Sequence, residues 1–171
     1  MKFIGLGLLC LLCSLAWADE PSESVPELGE SPEANENDFS QPWPIASFAV
    51  VDGHLVSAIG KANWFEANEA CAQYGFTLAA LPSQASANAM YNAIRKSGLQ
   101  SQLTEPVWTS GTNMANNNVW SWFSTGDTLV HRNWANSQPA SGSRCLAFNA
   151  NNAYWTAELC NTKRHFVCQC T

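Results

Sequence analysis

Past residue 18, cysteine occurs at five positions: Cys71, Cys145, Cys160, Cys168 and Cys170. No CxxC pair is matched by a second one, and His54, His131 and His165 are scattered, so the pattern does not suggest a metal clasp. In an exported chain, such spacings describe a disulfide framework, which ties distant segments together. Export is what the N-terminus suggests. Lys2 is followed by the apolar run FIGLGLLCLLCSLAWA, which ends in Ala16-Trp17-Ala18, a small-residue cleavage pattern. We therefore expect a signal peptide over residues 1–18 and a secreted, extracellular remainder, with Cys10 and Cys13 leaving in the leader. The run is shorter than the roughly 20 residues of a membrane span, and no later stretch reaches that length. Five is an odd number, so one thiol is expected to be left over.

Residues 19–42, DEPSESVPELGESPEANENDFSQP, contain eight carboxylates, no Lys or Arg, and repeated Pro and Ser. They carry too little apolar surface to offset the entropy of ordering, which predicts a disordered acidic tail or linker. The net charge of −6 therefore misdescribes the rest. From Trp43 onward, six acidic residues face seven basic ones. That near-neutral balance argues against a nucleic-acid-binding face. Residues 43–171 are one domain's length and hold seven of the eight tryptophans.

Within that domain, FAVVDGHLVSAIG has an Asp-Gly turn between β-branched runs and reads as a hairpin. NWFEANEACAQYG reads as a helix. Asn63 caps it, Glu66 completes a capping box, and Gly75 ends it. Trp64, Ala67 and Cys71 fall on one stripe at helical spacing. A short apolar strand follows in TLAAL, then a second helix from about Ser86 to Ser97, with Met90, Ala93 and Ile94 inward and Gly98 as its stop. Beyond it, VWTSG, VWSWF, LVHRNW, RCLAFN, AYWTA and HFVCQC are strand-like pieces parted by polar loops. Two helices followed by many short strands indicate an α+β domain. The loops MANNNV and ANSQPASGS are long and polar, as binding loops often are. Their asparagines serve turn chemistry at least as readily as ligand binding.

These pieces, taken in order, resemble the C-type lectin-like domain family across nearly all of the chain after the acidic segment. ANWFEANEACAQYGFTLAALPS is similar to its first helix and the apolar stretch that follows. VWTSGTN resembles its W-x-G segment, VWSWFSTGDTL its W-x-W segment, and HRNWANSQP the N-W-x-x-x-x-P start of its long loop. RCLAF, YWTAELC and HFVCQC resemble its later strands. The resemblance implies two helices with two small antiparallel sheets and a long loop region, in the family's short form. It also implies the disulfides Cys71–Cys168 and Cys145–Cys160, worth roughly 4.7 and 3 kcal/mol by loop closure. Cys170 is then the unpaired cysteine, with a bridge to a second chain, a free thiol, or competition with Cys168 all open. Trp108, Trp122, Trp134 and Trp155 match the family's core tryptophans.

Sugar-binding members hold Ca²⁺ in the long loop through a Glu-Pro-Asn or Gln-Pro-Asp triplet, a Glu before the third cysteine, and an Asn-Asp pair. The matching positions here are Gln138-Pro139-Ala140, Ser143, and Thr156-Ala157. Calcium takes six to eight oxygens, with carboxylates balancing its charge. No Asp or Glu lies between Asp127 and Glu158, and Glu158 falls one residue past the family's Asp. No metal or other cofactor is expected. Recognition would then fall to neutral hydrogen-bonding groups and aromatic surface, with Asn136, Gln138, Ser143, Asn149, Thr156 and Glu158 as the candidate ligand-binding residues. Arg132 and Arg144 add two charges able to meet an anionic group.

The expected function is a secreted lectin-like protein that binds glycan or glycoprotein on cell or microbial surfaces without calcium. The Gln-Pro pair leans toward galactose-type sugars. The alternative is a protein-recognition or structural module on the same scaffold. No nucleic-acid partner and no membrane span are expected. A disulfide-linked dimer through Cys170 is the one oligomer the sequence suggests. No histidine spacing or cysteine motif points to an enzyme.

Overall fold

A computed structural model describes residues 43–117, 119–142 and 144–170. The leader and acidic segment expected over 1–42 lie outside the described residues, as does the candidate Ser143.

Local chemistry sets the first elements. Strands β1 (Phe48–Val51) and β2 (His54–Ser57) form an antiparallel hairpin. Its turn residues Asp52 and Gly53 have φ of 47° and 75°, the left-handed pair that an Asp-Gly turn supplies. Helix α1 (Trp64–Ala72) begins at Asn63, whose side chain accepts from the Glu66 N–H while Glu66 reaches back to the Asn63 N–H, as expected. Strand β3 is only Thr77–Leu78. Helix α2 runs Gln84–Lys96, two residues earlier than Ser86, because Ser83 and Ser86 form a second reciprocal cap. Met90, Ala93 and Ile94 are buried on its inner stripe.

The later strands are β4 (Val107–Thr112), β5 (Ser121–Trp122), β6 (Cys145–Phe148), β7 (Trp155–Glu158) and β8 (Val167–Gln169). They assemble two four-stranded antiparallel sheets, ordered β1-β2-β8-β3 and β5-β4-β6-β7. The segment LVHRNW, expected as a strand, is irregular. It contributes only the isolated bridge of Trp134 to Trp155.

The core forms around buried rings. Trp108 donates its indole N–H toward the Ala62 and Thr162 carbonyls at 3.1 and 3.2 Å, and Trp64 donates to the Thr109 carbonyl at 2.8 Å. These bonds let those two rings bury without stranding a donor. Cys71–Cys168 ties α1 to β8, and Cys145–Cys160 ties the start of β6 to the segment after β7, matching the two pairings implied by the resemblance. Cys170 requires a correction. It is disulfide-bonded rather than left over, and its bond is neither of these two. Among the described residues, no helix is long and apolar enough to cross a membrane.

Candidate functional site

The long loop leaves β5, crosses residues 128–144, and returns into β6. Its footing is Asn113, just beyond β4 and 3% exposed. The Asn113 side chain donates to the Asn117 and Gly142 carbonyls at 3.0 and 2.9 Å and accepts from the Arg144 N–H at 2.7 Å. One amide thus clasps the returning end of the excursion to the turn over residues 113–117. Sequence reasoning passed over Asn113, although it closes the VWTSGTN segment. Thr112 adds a hydroxyl bond to the Arg144 carbonyl at 2.9 Å.

Farther out, the Gln138–Pro139 bond is cis and Ser137 has φ of 61°. The Gln138 side-chain oxygen accepts from two backbone N–H groups, Ala140 at 2.9 Å and Ala157 at 3.0 Å. The loop is thereby joined to β7 by its own amide. Behind it, the rings of Trp120 and Trp134 lie 4.8 Å apart, and Trp134 meets Trp155 at 5.8 Å. Trp122 and Trp155 are fully buried as core residues, whereas Trp120 and Trp134 are only partly buried.

The candidate residues divide by placement. Gln138, Thr156 and Glu158 converge at β7. Asn136 is exposed in the loop before Gln138. Asn149 lies at the far end of the β6–β7 hairpin, where its side-chain oxygen accepts from the Asn151 and Asn152 N–H groups at 2.8 and 3.2 Å. That is the turn geometry such a residue favours. The Thr156 hydroxyl is buried and has no hydrogen-bond partner among the described residues. Glu158 faces Arg164, at 3.0 Å between Oε2 and Nη2. Arg164 also stacks on the Trp108 ring at 5.6 Å, and only 12% of its side chain is exposed. It was not singled out from the sequence, since a lone arginine carries no local signal for a ring partner 56 residues away.

The residues present do not fit a calcium cage. The Gln138 oxygen is committed to backbone N–H groups, Ala140 and Ala157 contribute methyls, and the Glu158 carboxylate is held by Arg164. A hard cation needs several free oxygens and compensating charge. Among the described residues, no three His, Cys, Asp or Glu side chains are grouped to hold a metal ion. Elsewhere, a mostly apolar cavity of about 370 Å³ opens beside α1, lined in part by Glu69, Phe76, Thr77 and Phe123, and it shares no residue with the loop.

Comparison with known proteins agrees with this architecture. The chain is 28% identical over 112 residues to the galactose-specific lectin nattectin of Thalassophryne nattereri, covering 64% of this chain and 68% of that protein. It is 27% identical over 111 residues to regenerating islet-derived protein 4 of Homo sapiens, covering 63% and 67% respectively. Human lithostathine superposes with a TM-score of 0.56 at 20% identity, covering 82% of this chain and 97% of that one. The carbohydrate-recognition domain of the mouse scavenger receptor C-type lectin gives 0.56 at 15% identity, covering 71% and 91%. The family model of the lectin C-type domain matches residues 60–170, which takes in both helices, the Cys71–Cys168 and Cys145–Cys160 bridges and the loop clasped by Asn113. With that span matched and the two-sheet fold in place, the chain belongs to the C-type lectin domain family.

Proposed function

We propose that this domain is an extracellular glycan-binding module whose long loop recognises sugar without calcium. The observation that carries the reading is the pair of bonds from the Ala140 and Ala157 N–H groups to the Gln138 oxygen. In a calcium-dependent loop, the ion would draw such oxygens together. Here the backbone supplies the counterpart, so the loop has its shape before any ligand arrives. A preformed loop spares the ordering cost of binding.

Around it, Asn136 and the half-buried aromatic pair Trp120 and Trp134 offer neutral hydrogen-bonding groups and ring surface, the two features a pyranose uses. The printed specificity of nattectin, together with the Gln138-Pro139 pair, makes galactose-type sugars the first class to test. The test is a glycan array with Ca²⁺ and again with EDTA. Binding that survives EDTA and is eluted by the matching free sugar supports the reading. No retention on a broad panel in either buffer would instead favour a protein-recognition or structural module.

A further inference from the structure

We infer that the long loop selects anionic glycans, bearing sulfate or carboxylate groups, over their neutral counterparts. This rests on the glycan-binding reading and names its ligand class. Between Asp127 and Glu158 the chain has no acidic residue, yet it carries Arg132 and Arg144. Of the two bounding carboxylates, Glu158 is paired with Arg164, and Asp127 stands before the loop, its carbonyl bonded to the Trp122 N–H of β5. Neither Arg132 nor Arg144 has an ion-pair partner among the described residues. By contrast, Lys61, Lys96, Lys163 and Arg164 are each matched to a carboxylate. The domain as a whole is nearly neutral, so two unmatched guanidinium groups in one loop are a local excess.

The fold places them on either side of the candidate residues. Arg132 precedes Asn133, whose carbonyl accepts from the Trp155 N–H at 2.9 Å, at one end of β7. Arg144 precedes Cys145, which pairs with Glu158 at the other end. The two positions are thus separated by about three residues of strand, roughly 10 Å. Thr156 and the Ala157 N–H that Gln138 accepts lie between. Arg132 is exposed and Arg144 half-exposed. Guanidinium is the side chain best suited to grip a planar or tetrahedral oxyanion with two parallel N–H bonds. An acidic polymer would be steered to such a pair, and its binding would weaken as salt screens it.

The experiment uses the secreted protein in EDTA buffer at about 50 to 300 mM NaCl. The probes are a sulfated oligosaccharide, the same chain chemically desulfated, and a sialylated oligosaccharide. The sulfated or sialylated probe is expected to bind about tenfold tighter than the neutral one, with affinity falling as salt rises. Which of the two binds tighter identifies the oxyanion. Arg132→Gln and Arg144→Gln should each lower that affinity about threefold, and together remove the preference while leaving desulfated binding in place. Arg95→Gln, an exposed cation at the end of α2, should change nothing. Equal binding of charged and neutral probes with no salt dependence overturns the inference but leaves glycan binding standing. So does a preference untouched by the double variant, or capture of a glutamate-rich peptide as strong as that of the sulfated glycan. Failure to bind any of the probes overturns both.

Discussion

The Gln138 side chain accepts a hydrogen bond from the backbone N–H of Ala157 at 3.0 Å, linking the tip of the long loop to a strand of the core sheet. A second bond from Ala140 shares the same oxygen at 2.9 Å. Gln138→Leu keeps the volume but leaves two N–H groups without an acceptor. We expect a loss of about 1–3 kcal/mol in urea unfolding and faster proteolysis within residues 136–142. Unchanged stability and unchanged cleavage would show that the loop holds its shape by other means.

The two bridges should contribute unequally. Cys71–Cys168 spans 97 residues of chain and Cys145–Cys160 spans 15. Opening the first by Cys71→Ser with Cys168→Ser should cost about 4.7 kcal/mol by chain entropy, against about 3 kcal/mol for the second. Thermal melts of the two double variants compare them directly. A larger loss from the shorter bridge would contradict this order.

Gly111 is a matter of space. A Cβ built there meets the Leu146 Cβ at 2.7 Å and its Cδ1 at 2.9 Å. The Leu146 Cβ is fixed to strand β6, so β4 and β6 must separate to admit a methyl. Gly111→Ala should destabilise by about 1–3 kcal/mol, read from denaturant midpoints. A neutral result would mean that the two strands move apart readily.

Acid should weaken the fold in two stages. Burial pushes the His165 imidazole below its ordinary value of 6.5, and the Lys61 ammonium adds to this. The folded state therefore holds a proton there less readily than the unfolded chain, so stability falls as pH drops below about 6.5. Glu66 acts lower. Burial favours its neutral form, but the hydrogen bonds from Lys163 and the Asn63 N–H, with the Lys163 charge, outweigh that and leave its carboxyl below 4.5. Its stabilising contribution is present above 4.5 and is lost as pH falls through its lower folded value. Unfolding midpoints at about pH 8, 6, 5 and 4 should decline throughout, and His165→Gln should flatten the first stage. A profile with the same slope between about pH 7 and 5 in that variant would remove His165 as its source.

Where the chain's instructions are local, they could be read directly. The Asp52-Gly53 turn, the Asn63–Glu66 cap and the Met90, Ala93 and Ile94 stripe are all settled within a few residues, and each formed as expected. The start of α2 was missed by two residues because Ser-x-x-Ser is a weaker cap signal than Asn-x-x-Glu. LVHRNW has a strand's composition but not its role: Trp134 packs on Trp120 and Trp155 instead of joining a ladder. The roles of Gln138, Asn113 and Glu158 depend on partners 19, 31 and 6 positions away. Residue types alone do not say whether an amide oxygen turns outward to a ligand or inward to a strand.

Asn113 belongs to the interior, whereas Asn136 and Ser137 belong to the solvent. The loop is therefore hinged on a foundation that its outermost residues do not help to build. New tips can be carried at Asn136 and Ser137 while the Asn113 and Gln138 bonds stay intact, so this scaffold is open to changes of taste in its ligand at small risk to its folding.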